Sequence, residues 1–234
     1  MKGKLFLIPT PLGENFTIQN INSDVIKTLQ GIRFLIAEEL KTARRFLKKL
    51  DPSCPIDDIT FFVLNEHTTP QEFEQYLKVA ENGNNVGLLT EAGCPAIADP
   101  GSQVVNIAHK NEIKVVPLVG PSSITLALMA SGLNGQKFAF WGYLPVKQNE
   151  RKIKIKQIEK HSKLENQTQI FIETPYRNIS LFNDIIAVCE PETQLCIASN
   201  ITQYDEFILT MKIKKWKLKI PDIHKKPTVF LLLS

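Results

Sequence analysis

The stretch LLTEAGCPAIADPGSQVV, Leu88 to Val105, opens as a short apolar run and stops at an acid, Glu91. Ala92, Gly93, Cys94 and Pro95 follow, and Asp99, Pro100 and Gly101 then lead into a second apolar pattern. A run of this length, bounded by small residues and prolines, is a buried strand feeding a loop and then a helix. Small residues in such a loop let backbone amides come close to a ligand. The reading of the fold depends on whether the rest of the chain repeats this strand–loop–helix unit.

Across the first half it does. KLFLIPT (Lys4 to Thr10) is a continuous apolar run ended by prolines, and reads as a strand buried on both faces. NSDVIKTLQGI follows as a helix, with Ser23 or Asp24 as its cap. RFLIAEE is a second strand ending in Glu38 and Glu39. KTARRFLKKL is helical, with Ala43, Phe46, Leu47 and Leu50 on one face. ITFFVLNEH is a third strand, and TPQEFEQYLKVAENG a helix from Thr69-Pro70 to Gly83. NVGLLTEAG, DPGSQVVNIAHKNE and IKVVPLVG complete five strands and their helices. Regular alternation with short links specifies an open, mostly parallel sheet with helices on both faces. Ligands bind beyond the carboxyl ends of such strands, so the loop after Leu89 lies on the expected binding edge.

Near Gly120 the rhythm changes. VVPLVGPSSITLALMASGL ends a strand and starts an almost wholly apolar helix at Ser122 and Ser123. Those serines either cap a buried helix or hold an anionic group at its start. Beyond them, QKFAFWGYLP, TQIFIETPY, TQLCIASNI, EFILTMKIKKWK and PTVFLLLS read as strands. NERKIKIKQIEKHSKLENQ and RNISLFNDIIAVC read as helices. The expected architecture is therefore two α/β domains, a mostly parallel one over 1–118 and a mixed one over 119–234.

Composition limits what such a chain does. Hydrophobic residues are 43% and charged residues 22% of 234, ordinary for a globular protein. No apolar run reaches the roughly 20 residues of a membrane span, and the apolar stretch at the start is too short for a secretory leader. The expectation is a cytoplasmic protein with no membrane contact. Cys54, Cys94, Cys189 and Cys196 have neither C-x-x-C spacing nor clustered histidines, so reduced thiols and no metal are expected. The net charge of +4 is modest. Its basic excess lies mainly in three runs, Lys41 to Lys49, Lys147 to Lys160 and Met211 to Lys219. Each is a solvated face unless the fold joins them into one surface.

LFLIPTPLG, AEELKTARRFL, LLTEAGCPAIADPG, VVPLVGPSSITLALMASGL, FWGYLP and FIETPYR occur together and in this order. In that respect the whole chain resembles the tetrapyrrole methylase-like, S-adenosylmethionine-dependent methyltransferases, above all the branch that methylates the ribose of small-subunit ribosomal RNA. The resemblance implies two α/β domains with the methyl donor in the cleft between them, and a homodimer. It is not the dinucleotide-type methyltransferase fold, and G-x-G-x-x-G is missing after the first strand. By matching motif, donor contacts are implied at Pro9, Leu12, Glu91, Ala92, Gly93, Cys94, Ser122, Ser123, Ile124, Glu173, Thr174 and Ala198. The basic residues Arg44, Arg45, Lys152 and Lys154 are implied to meet RNA phosphates.

The chain departs from that branch on its acceptor side. PTPLGENFTIQNIN stands where relatives read PTPIGNLxDIT. AEELK replaces AEDTR at Glu39, Leu40 and Lys41, and TEAGCP replaces SDAGTP at Glu91 and Cys94. A C-terminal extension common among such relatives is not expected here. Methyl transfer to a hydroxyl needs a proton acceptor, for which Glu38, Glu39 and Asp99 are candidates, with His67 a fourth. Three readings remain open: RNA as acceptor at a ribose hydroxyl or a base, a tetrapyrrole or other small molecule as acceptor, or a non-catalytic paralogue that only binds the donor.

Overall fold

The computed structural model describes residues 1–65 and 67–234, with no account of the Pro70 side chain. The chain divides into two compact units, Met1–Ser122 and Ser123–Ser234. The division falls after the Gly120–Ser122 connection, because that connection is tied to the first unit. The Cys94 thiol donates to the Pro121 carbonyl at 3.2 Å.

The first unit runs β1 (Lys4–Ile8), α1 (Ser23–Gly31), β2 (Phe34–Ala37), α2 (Leu40–Leu50), β3 (Thr60–Val63), α3 (Pro70–Glu81), β4 (Val86–Leu89), α4 (Gly101–Lys110) and β5 (Lys114–Pro117). All five strands are parallel, in the order β3-β2-β4-β1-β5. The sheet therefore steps outward in both directions from the β4–β1 pair, where Phe6 faces Gly87 and Leu7 faces Leu88. Its two faces carry separate cores. Val25, Leu29, Phe46, Leu47 and Leu50 cover one face with Ile8, Leu35 and Leu89. Phe73, Leu77, Val104 and Ala108 cover the other with Leu5, Ile36 and Leu88. The apolar face of α2 is the one its spacing gives.

The helix starts need more than periodicity. The side chain of Asn22, rather than Ser23 or Asp24, caps α1 by accepting the Asp24 amide of its first turn at 2.9 Å. A cap of this kind stabilises a helix by about 1 kcal/mol. Thr69 and Glu72 form a reciprocal capping box at the start of α3. The third strand expected from ITFFVLNEH ends at Val63, and Glu66 within that stretch lies outside the described residues.

The second unit runs α5 (Ser123–Ser131), β6 (Phe138–Tyr143), α6 (Gln148–Glu165), β7 (Thr168–Ile172), α7 (Asn178–Val188), β8 (Gln194–Ser199), β9 (Phe207–Lys212), the short α8 (Ile213–Trp216) and β10 (Thr228–Leu233). Its sheet order is β6-β7-β10-β8-β9, with β6 and β7 parallel and the other pairs antiparallel. The strand expected to continue through KIKKWK stops at Lys212. There Ile213 and Trp216 turn into the core as one helical turn, and the indole N–H donates to the Leu195 carbonyl. Along α6 the buried residues are Arg151, Ile155, Ile158, Glu159 and Ser162, one stripe at helical spacing. The helix stops at Asn166, whose φ of 46° is left-handed.

Candidate functional site

Three loops converge at the carboxyl end of the first sheet. Those after β1 and β4 are joined by an isolated bridge: the Thr10 amide donates to the Gly93 carbonyl at 2.9 Å, and the Gly93 amide returns to Thr10 at 3.1 Å. The Thr10 hydroxyl adds a bond to the Thr90 carbonyl. Gly93 sits at φ +81°, where a side chain is strained, and a Cβ there would lie 3.2 Å from the Leu12 Cδ2. The loop after β5 closes on the same place. A Cβ on Gly120 would overlap the Pro9 ring at 2.2 Å. Both backbone polar groups of Gly93 are occupied by Thr10, and Ala92 beside it is exposed.

Beside this bridge is a cavity of about 440 Å³. It is walled by Leu12 and Phe16 from the loop after β1, Ala37 and Leu89 from the strand ends, and Ala43 and Phe46 from α2. Thr10, Thr42, Thr90 and Glu91 add polar groups, and Glu14, Arg45 and Lys49 add charge. Phe16 and Phe46 lie with ring centroids 5.9 Å apart, and the Lys49 ammonium stands 3.8 Å above the Phe16 ring.

The carboxylates are not equivalent. Because β2 and β4 are neighbours, Glu38 at the end of one meets Glu91 and Asp99 after the other. Burial, then the negative charges of Asp99 and Glu91, push the Glu38 carboxyl up to about 7. Asp99 caps the α4 start, with both oxygens accepting from the Ala96 amide and one from Gly101. Burial raises its pKa against those bonds and one from the Thr90 hydroxyl. Glu91 is raised by burial too, opposed by the Thr42 hydroxyl and the Glu39 amide. Glu39 caps α2 by accepting the Lys41 amide at 3.0 Å.

The other expected residues are spread more widely. Pro9, Leu12, Glu91, Ala92, Gly93 and Cys94 come together at the bridged loops. Arg45 lines the cavity, whereas Arg44 stacks over Phe61 at 5.3 Å. Ser122 ends the first unit, and Ser123 and Ile124 begin α5 in the second. Lys152 approaches the buried Asp184 at 3.5 Å, and Lys154 stands over Trp141 at 4.0 Å. His67 donates its amide to the Asn65 side chain in the loop after β3. Ala198 lies inside β8, fully buried between β10 and β9, so its side chain has no surface to offer a ligand. Phe16, Thr42 and Lys49 line the cavity without having been singled out. Phe16 belongs to a loop without periodicity, and Lys49 was one cation in a long basic run.

Glu173, at the end of β7, is the most informative of the second-unit residues. One oxygen accepts from Arg177 at 2.6 Å and from the Thr174 amide at 2.7 Å. The other is buried without a hydrogen-bond partner among the described residues. A buried carboxylate oxygen left open in this way is an acceptor waiting for a donor group. Like Ala198, the Glu173 side chain has no exposed surface, so its open oxygen faces the interior of the second unit. Among the described residues no group of three His, Cys, Asp or Glu is placed to hold a metal ion. No helix among them is long and apolar enough to cross a membrane.

Comparison with known proteins fits this geometry. The ribosomal RNA small subunit methyltransferase I of Escherichia coli O157:H7 is 31% identical over 207 residues, covering 88% of this chain and 68% of that protein. The protein of the same name from Thermotoga maritima is 29% identical, covering 91% of this chain and 90% of its own. The fold is shared with the crystal structure of the methyltransferase CobJ, at a TM-score of 0.65 and 14% identity, over 99% of this chain and 94% of that one. The model of the family described as Tetrapyrrole (Corrin/Porphyrin) Methylases matches residues 19–216. With that match covering most of the chain, the chain belongs to the tetrapyrrole methylase family and is a methyltransferase.

Proposed function

We propose that the chain transfers a methyl group from S-adenosylmethionine to RNA of the small ribosomal subunit, in the cytoplasm, at a ribose hydroxyl or a base. The observation that carries this reading is the 31% identity to a ribosomal RNA methyltransferase across 88% of the chain. The basic face of α2 supports it, because it sets Arg45 and Lys49 at the mouth of the cavity, where an RNA phosphate can be neutralised.

When bound, the donor supplies a methyl group already activated on a sulfonium. The chain's own residues have three tasks. They hold the donor, through Pro9, Leu12, Glu91, Ala92, Gly93, Cys94 and Ser122 of the first unit. They hold the acceptor oxygen or nitrogen in line with the methyl carbon, which is worth several powers of ten in rate. They also take the proton that a hydroxyl must lose. We assign that last task to Glu38, since Glu39 and Asp99 are occupied at helix starts. A carboxylate held near 7 accepts a proton more readily than one at its ordinary value, and still carries charge at neutral pH.

The test incubates the chain with methyl-labelled donor and with RNA, protein and small-molecule fractions of cells lacking the gene. Label in small-subunit RNA is expected. Label only in the small-molecule fraction overturns RNA as acceptor and favours a tetrapyrrole. Donor binding by calorimetry without label in any fraction favours a non-catalytic paralogue. Gly93→Val, which breaks the Thr10 bridge, is expected to weaken donor binding at least about tenfold; unchanged affinity would remove the bridged loops from the donor site.

A further inference from the structure

We infer that the cavity between the loop after β1 and the α2 helix seats one nucleotide of the acceptor strand, turned out of its stack, with its base against Phe16 and its phosphate on Arg45 and Lys49. The inference rests on the RNA reading above and adds where the acceptor goes.

Size comes first. At about 440 Å³ the cavity lies in the range of small-ligand sites, roughly 300–1,000 Å³, and is too small for a stacked or paired segment. A nucleotide enters such a space only when extruded from its neighbours. Chemistry comes second. Phe16 and Phe46 offer aromatic surface for any base, and such stacking does not depend on sequence. The hydroxyl protons of Thr10, Thr42 and Thr90 are already given to the Thr90 carbonyl, Glu91 and Asp99, so these oxygens offer a base only acceptor positions inside the apolar wall.

Charge comes third. Arg45 and Lys49 are one helical turn apart on α2 and share the cavity mouth. Both are held by Glu14: Arg45 by its carboxylate at 3.4 Å, and Lys49 by its backbone carbonyl at 2.8 Å. The Arg45–Glu14 pair is long, and its side chains are 60% and 90% exposed. A pair of that kind contributes little, so a phosphodiester can take over the guanidinium at small cost. The Lys49 ammonium lies 3.8 Å over one face of the Phe16 ring, so a base that stacks on that face displaces the ammonium toward its phosphate.

Position comes last. Leu12, Glu91 and Ala92 belong both to this cavity and to the proposed donor contacts. An occupant therefore lies beside the donor site, as an in-line transfer over about 3–3.5 Å demands.

The experiment uses the full chain, labelled donor and the RNA that the unaltered chain labels. Phe16→Ala is expected to lower kcat/KM for RNA by about tenfold or more, the effect of removing one stacking partner. Arg45→Glu, a surface change compatible with folding, is expected to raise KM for RNA and to flatten its salt dependence by about one unit of log–log slope. In both variants donor affinity by calorimetry should stay within about threefold of the unaltered chain, because the cavity holds the acceptor. RNA labelling at unchanged kcat/KM in both variants overturns the assignment. So does a parallel loss of donor binding, which would mean that the donor fills the cavity. If the unaltered chain labels no RNA, the RNA reading itself falls and the cavity's assignment falls with it.

Discussion

Glu38 carries a cost that the fold keeps. Its carboxyl is half-buried near two other acids and titrates at about 7, above its ordinary 4.5. Between those values the folded chain keeps a proton that the unfolded chain releases, so stability falls as pH rises through the window. Glu91 and Asp99, also raised, act in the same direction. The thermal midpoint is therefore expected to decline from about pH 5 to about pH 8, and Glu38→Gln should flatten most of that decline. A variant with the same slope as the parent would put the strain on Glu91 and Asp99 instead. Glu38→Gln should also lower methyl transfer by roughly 10²–10⁴, the usual contribution of a positioned base. AEE alone shows two acids at a strand end. Which one is left without a capping role follows from Glu39 turning back to cap α2.

Among the elements, α6 shows how a basic segment becomes structural. NERKIKIKQIEK reads as a solvated basic helix, yet Arg151 is buried at 3% exposure against Asp184 of α7 at 1%. Its guanidinium also donates to the Ser180 hydroxyl and the Val146 carbonyl, so all three of its nitrogens are bonded. Arg151→Met should cost about 3–5 kcal/mol of stability, because it strips a buried carboxylate of its main partner. Chemical denaturation measures this, and a loss below about 1 kcal/mol would show that Gln148 and Lys152 suffice for Asp184. Element type was mostly legible from apolar spacing, as in the Ala43, Phe46, Leu47, Leu50 face of α2. Element ends were less so. The strand through LTMKIKKWK stops at Lys212 because Trp216 is drawn into the core, and no local pattern announces that packing.

For the whole molecule, the unburied apolar residues are the open question. Helix α5 is apolar nearly all round, a pattern expected of a covered helix, yet Met129 on it is 73% exposed. Phe138 and Tyr143 on the edge strand β6 are also exposed. With the dimer that the family resemblance implies, we propose that a second copy covers part of this surface. Light scattering at micromolar concentration should give twice the mass of the 26.5 kDa chain. A single-chain mass would leave these residues to another partner. In the dimer, Met129→Glu should shift the mass toward one chain, since a buried charge at an interface is expensive.

The sequence by itself determined which runs form strands, that the first sheet is parallel with helices on both faces, and that the loops after β1, β4 and β5 share its binding edge. Apolar period and link length encode those facts locally. Its ordered motifs also determined the family. Only the tertiary structure decided the strand order that sets Glu38 beside Glu91 and Asp99. It also decided that Gly93 spends its backbone on Thr10, and that Phe16, Phe46 and Lys49 close one cavity around Arg45. These pairings join residues 30 or more positions apart, or on strands that are not consecutive, and they are selected by how two faces of one sheet are filled. A linear pattern reports what each segment prefers; the side chain that meets another across the fold is chosen by packing.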